Sequence, residues 1–128
     1  MCCLVMGGSI LIDIFPSEHY EQARLVMWFR QTHSPMRIFA IPNGGLRSKV
    51  SAAKLKVEGV SPGVPDLFIP ELKLWIEMKR VRGGRLSPEQ KDWINYLASK
   101  GYTCFICAGA EDAKLQITDY IKDYKNAT

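Results

Sequence analysis

An acid and a lysine two residues apart, Glu77 and Lys79, stand in the apolar run Leu74-Trp75-Ile76-Glu77-Met78-Lys79, and another acid, Asp66, follows Val64-Pro65 shortly before it. Successive side chains of a strand point to opposite faces, so Glu77 and Lys79 emerge together while Ile76 and Met78 go the other way. Charge in an apolar strand costs free energy unless it is paired or bound to a metal, and Asp66 is the obvious partner. Two carboxylates converging on one side of a sheet offer hard oxygen ligands suited to Mg²⁺ or Mn²⁺. Lys79, one step along the same face, could hold a phosphate oxygen or orient a water whose proton the metal makes easier to lose. Together these are the parts of metal-assisted phosphodiester hydrolysis. The competing expectation is a surface hairpin whose Glu77 and Lys79 form a salt bridge worth well under ~1 kcal/mol. Two features weigh against it: Leu74, Trp75, Ile76 and Met78 imply burial on at least one face, and the basic loop Arg80-Val-Arg-Gly-Gly-Arg85 follows at once. Arg82 and Arg85 around flexible glycines suit backbone phosphates.

The elements that must position these residues can be read from punctuation and periodicity. Ser17 is a plausible N-cap, and apolar residues at helical spacing through Ala23, Leu25, Val26, Trp28 and Phe29 predict a helix from Glu18 to Gln31. Arg37 to Ile41 reads as a short strand ended by Pro42-Asn43-Gly44-Gly45, and Ser48 to Glu58 as a basic helix closed by Gly59. Asp66 to Ile69 and Leu72 to Lys79 flank Pro70-Glu71 and predict an antiparallel hairpin. Ser87-Pro88-Glu89-Gln90 has the form of a capping box with proline at the first helical position, opening a helix that runs to about Lys100 with Gly101 as its stop. A strand from Tyr102 to Ala108 and a helix from Glu111 to about Tyr124 complete the order αβαββαβα.

The 128 residues, 47% of them apolar, suit a single domain with one hydrophobic core, residues 1–16 forming a possible N-terminal arm. A net charge of +4 permits a polyanionic partner without demanding one. Its distribution says more: Arg47, Lys49, Lys54 and Lys56 oppose only Glu58, and Lys79 to Arg85 carries four bases and no acid. Cys104 and Cys107 form a Cys-x-x-Cys, but within a strand such residues face opposite ways and pack as small hydrophobes, which fits a reducing cytoplasm. The apolar head lacks a basic start, contains Asp13 and is too short to span a bilayer, so no membrane association is expected; Leu11 to Phe15 reads as a short strand or an arm covering a neighbouring subunit. His19 and His33 are solitary and read as surface or structural residues. Trp28, Trp75 and Trp93 read as core.

Val64-Pro65-Asp66 with Glu77-Met78-Lys79 resembles the PD-(D/E)xK pattern of metal-dependent nucleases. The ordered set Ile41-Pro-Asn-Gly-Gly45, Gly63-Val-Pro-Asp-Leu67, Ile76-Glu-Met-Lys79 and Gly83-Gly-Arg-Leu-Ser-Pro-Glu-Gln90 resembles, more specifically, the stand-alone VRR-NUC (virus-type replication-repair nuclease) proteins of phages and bacteria, from about Ser17 to Tyr124. The resemblance implies an α/β fold, a small mixed β-sheet flanked by helices with a restriction-endonuclease-like core. It implies that Asp66, Glu77 and the backbone carbonyl of Met78 bind Mg²⁺ or Mn²⁺, that Lys79 assists the attacking water, and that Gln90 borders the site. It also implies an acid on the first helix, for which Glu18 and Glu21 compete. Three apart, they lie on one side of a helix. Glu21 is preferred because it sits a full turn inside, whereas Glu18 at the first position has an ordinary reason to be there, the helix dipole. Asn43, Arg47, Arg80, Arg82 and Arg85 are the candidate DNA contacts, although Asn before Gly-Gly is also good turn chemistry.

The leading expectation is thus a metal-dependent endonuclease. A unit this small has little surface for sequence reading and shows no usual recognition helix, so shape is the expected target. The resemblance implies a homodimeric resolvase of four-way (Holliday) junctions, and two sites about a two-fold axis would suit cutting two strands. The alternatives are a non-catalytic DNA-binding module, against which the intact Asp66, Glu77 and Lys79 argue, and a flap- or duplex-specific nuclease on the same core.

Overall fold

Two serines set the starts of two helices. The Ser17 hydroxyl accepts from the Tyr20 amide at 3.1 Å and opens α1 (Glu18–Thr32). Ser87 opens α3 (Pro88–Ser99) with the full capping box: its hydroxyl accepts from the Gln90 amide at 3.1 Å, and the Gln90 side-chain oxygen accepts from the Ser87 amide at 2.9 Å. The chain, as a computed structural model, is described over residues 15–42 and 49–127. Most of the expected arm, the strand expected at 11–15 apart from Phe15, and the positions of Asn43 and Arg47 lie outside the described residues.

The remaining elements are β1 (Phe39–Ala40), α2 (Lys49–Val57), β2 (Leu67–Ile69), a 3-10 turn (Pro70–Leu72), β3 (Leu74–Lys79), β4 (Thr103–Ala108) and α4 (Ala110–Asn126). The order αβαββαβα is as read from sequence. All four strands are shorter than expected, β2 and β4 by one residue each and the other two by more. β1 pairs only through Phe39 and Ala40, with one further bond from the Ile41 amide to the Asp66 carbonyl at 2.8 Å. β3 starts at Leu74 because Pro70 starts a 3-10 turn that Lys73 closes in the left-handed conformation, φ 48°.

The four strands form one mixed sheet in the order β1-β2-β3-β4, antiparallel at β1–β2 and β2–β3 and parallel at β3–β4. The register sorts the side chains into two faces. Leu67, Ile69, Leu74, Ile76, Met78 and Cys107 point to one face, fully buried against Leu25 and Phe29 of α1 and Ala113, Ile117 and Ile121 of α4. Full burial of an aliphatic or aromatic side chain is worth about 1.5–3 kcal/mol, so this layer is the main source of stability. The opposite face carries Asp66, Phe68, Trp75, Glu77, Lys79 and Cys104. α3 covers its β3–β4 half, bringing the Ile94 carbonyl to the Cys104 thiol at 3.9 Å. Cys104 and Cys107 are free and sit on opposite faces, and burial, followed by the charge of Asp112, pushes the Cys107 thiol up to about 12. It behaves as a packed hydrophobe. Among the described residues no helix is long and apolar enough to cross a membrane.

Candidate active site

The register places Asp66, just before β2, across from Glu77, because Leu67 pairs with Ile76. The Asp66 carboxylate reaches over to β3 and accepts from the Met78 amide through Oδ2 at 2.8 Å, which ties the loop after Pro65 to the strand. Glu77 and Lys79 are 2% and 7% exposed, so the surface salt bridge is not what forms here. Glu77 Oε2 lies 3.6 Å from Lys79 Nζ and accepts from Gln90 Nε2 at 3.1 Å, while Lys79 Nζ donates to Gln90 Oε1 at 3.0 Å. The orientation of the Gln90 amide follows from donor logic. Both the Ser87 amide and the Lys79 ammonium can only donate, so Oε1 must face them and Nε2 must face the Glu77 carboxylate. The capping box of α3 is therefore also the bracket that holds Lys79 and Glu77 in place.

Loops close the site. Gly84 passes so near Lys79 that a Cβ on it would stand 2.8 Å from the lysine Cβ. Gly63, at φ 93°, lies against the backbone of Glu89, where an added Cβ would come within 2.6 Å of its carbonyl. The loop carrying Pro65 and Asp66 is thereby seated on the first turn of α3.

Burial pushes the Glu77 carboxyl up to about 8, helped by the neighbouring Asp66 charge and, less strongly, by Glu18, with Lys79 opposing. The Asp66 carboxyl is also raised by burial, against the Met78 amide, Glu77 and Lys79, which lower it. The two carboxyls also interact directly, so the pair gives up its protons as a unit and resists carrying two negative charges. Two adjacent acids that resist ionising together are what a divalent cation relieves. Among the described residues no group of three or more His, Cys, Asp or Glu side chains is arranged to hold a metal by itself. The donor set nevertheless fits Mg²⁺, which is usually held by one or two carboxylates together with water and substrate phosphate.

The two first-helix acids, Glu18 and Glu21, sit in different surroundings. Glu21 is buried, and its Oε1 accepts from the Ala110 amide at 2.9 Å and from Arg24 Nη1 at 3.4 Å. α4 begins after Gly109, which has no side chain to cap it, and Glu21 supplies that cap from another helix. Glu18 is exposed at the start of α1 and is the helix acid whose charge is felt at Glu77.

Arg80 donates to the carbonyls of Phe15 at 3.0 Å and Pro16 at 3.3 Å, fixing the entry to α1 against the end of β3. Sequence reasoning offered Arg80 as a DNA contact and had no signal for this bracket. Arg82 lies over the Phe15 ring at 5.1 Å, and Arg82 and Arg85 are both exposed on the loop beyond Lys79.

Among known proteins, the model of the VRR-NUC domain family matches residues 8–111. A solved structure of a VRR_NUC domain protein is similar over 84% of this chain and 90% of that one, at 29% identity and a TM-score of 0.71. Nothing among curated proteins matches the chain. The match spans well over half of the sequence and contains the whole Asp66, Glu77, Lys79 and Gln90 constellation, so this chain belongs to the VRR-NUC family and is a nuclease domain, a hydrolase with DNA as its substrate.

Proposed function

We propose that the chain is a Mg²⁺- or Mn²⁺-dependent endonuclease that cuts branched DNA, with the four-way junction as preferred substrate and a homodimer as the working unit. The observation that carries the metal-dependent reading is the half-buried Asp66 beside the buried Glu77, with Glu77 raised to about 8, braced by Lys79 and Gln90. In this reading Asp66, Glu77 and the Met78 carbonyl hold the ion, with Glu18 rather than Glu21 as the first-helix acid, because Glu21 is committed to the start of α4. The ion would supply charge stabilisation at the phosphate and an acidified water. Lys79 positions that water or a phosphate oxygen. Gln90 keeps the ammonium beside the acids, and the low exposure of the cluster strengthens each electrostatic interaction within it. Arg82 and Arg85 contact flanking phosphates.

The junction preference is supported by the likeness to stand-alone VRR-NUC proteins and by the small surface available for reading sequence. Cleavage rates on a labelled four-way junction, a flap and a linear duplex of the same sequences, with Mg²⁺, Mn²⁺ or EDTA, test it, alongside the mass of the protein in solution. Junction cutting should dominate, need metal and accompany a dimeric mass. A monomer that prefers flaps or duplex would overturn the junction and dimer readings while leaving the hydrolytic site intact.

A further inference from the structure

Next to the acids, the site-bearing sheet face is aromatic. Phe39, Phe68, Trp75 and Tyr102 run across it as one strip, with ring centroids 5.8 Å apart for Phe39 and Phe68, 4.3 Å for Phe68 and Trp75, and 5.9 Å for Phe68 and Tyr102. Phe39 is 45% and Tyr102 36% exposed. The strip adjoins the acids directly. Phe68 lies two residues after Asp66 and Trp75 two residues before Glu77, paired with each other on the same face. One strand step, about 6.6–6.8 Å, therefore separates the carboxylate pair from the aromatic pair. That is within the reach of a single nucleotide. On the other side of the acids, β3 runs through Lys79 into the loop with Arg82 and Arg85.

We infer that the strip is a stacking platform for an unpaired base adjoining the scissile phosphate. The occupant follows from continuity: DNA bound at Asp66 and Glu77 must leave the site along this face, with phosphates toward the arginine loop and a base toward Phe39 and Phe68. Aromatic rings accept the face of any base, so the platform favours no sequence. It favours structure, because only a nucleotide freed from pairing and stacking can present its face. Branch points supply such nucleotides and uninterrupted duplex does not. Selectivity for branched DNA thus has a chemical source within one subunit. The inference rests on the hydrolytic site proposed above.

The test is a cycle of two changes on the full chain: Phe39→Ala on the protein, and an abasic site in place of the base flanking the mapped cut on the DNA. Each change alone should slow cleavage at subsaturating DNA by roughly 5- to 100-fold, mostly through KM, and the two together should slow it no more than one. Phe39→Trp should restore the parent rate. Each protein is compared with itself on the two DNAs, so a fraction of misfolded variant cancels. Effects that multiply, or single effects under about twofold, would overturn the platform while wild-type cutting still upholds the hydrolytic site. Phe39→Ala that converts a dimer to a monomer would assign the strip to a second copy of the chain and overturn it too. Wild-type protein that cuts no DNA in any metal would remove both readings.

Discussion

From Ile76 to Lys79 both faces of β3 are buried, and by opposite means. Leu74, Ile76 and Met78 meet apolar side chains of α1 and α4, where removing surface from water stabilises the fold. Glu77 and Lys79 meet each other, Gln90 and Asp66, where removing charge from water costs stability that the hydrogen bonds only partly offset. One strand therefore separates what holds the molecule together from what it does, and substitutions on the two faces should fail in different ways.

The largest effects belong to the polar face. Asp66→Asn should abolish cleavage while sparing DNA binding, because it removes charge and little shape. Binding lost along with cutting, in a gel-shift titration, would instead make the ion a bridge to the substrate. Lys79→Ala should slow single-turnover cleavage by roughly 10²–10³-fold, the scale of losing one preorganised charge stabiliser. Neither variant should unfold the protein. On the apolar face Ile76→Ala should cost about 2–5 kcal/mol in urea unfolding, with the cutting rate per folded molecule near that of the parent. A fully folded but inactive Ile76→Ala would break the separation between the faces.

A smaller effect comes from pH. Glu77 has its folded-state value raised to about 8 from 4.5, so the unfolded chain loses this proton first as pH rises. Metal-free protein should therefore lose stability between about pH 5 and pH 8 through this group and level off above that. Glu77→Gln should flatten the trend, and Mg²⁺ should raise Tm more at pH 8 than at pH 5, because the ion binds the ionised folded site. Thermal melts across this range check it; a wild-type profile that rises over the same window and is unaffected by Glu77→Gln would contradict it. The smallest effect is that of the exposed arginines. Replacing Arg82 and Arg85 together by alanine should weaken DNA binding and reduce its salt slope, each lost phosphate contact removing roughly 0.9 from the slope on duplex arms. An unchanged slope would take that loop out of the interface.

Local patterns carried much of this fold in the sequence. The Ser17 and Ser87 caps, the hairpin and the alternation along β3 are short-range rules, and each appears where its residues predict it. The same alternation brought Asp66, Glu77 and Lys79 together. What escaped depends on contacts between distant elements. Glu18 and Glu21 are equivalent on a helical wheel; they differ because α4 begins at a glycine and takes its cap from Glu21 across 89 residues of chain. Gly109 before an expected helix was the signal available for that bracket. Trp75 reads as core because its strand is apolar, yet it lies only partly buried, in the aromatic strip with Phe68 and Tyr102. Arg80 looks like one more base in a basic loop, and only the fold shows it gripping the carbonyls ahead of α1.

The central claim is that the charged face of β3 is a hydrolytic centre that works through a divalent ion. Single-turnover cleavage of end-labelled junction DNA by the parent protein and Glu77→Gln, each with Mg²⁺ and with EDTA, addresses it most directly. Product should form with the parent in Mg²⁺ and in no other combination. Cleavage by the parent in EDTA, or by Glu77→Gln at the parent rate, would contradict the account.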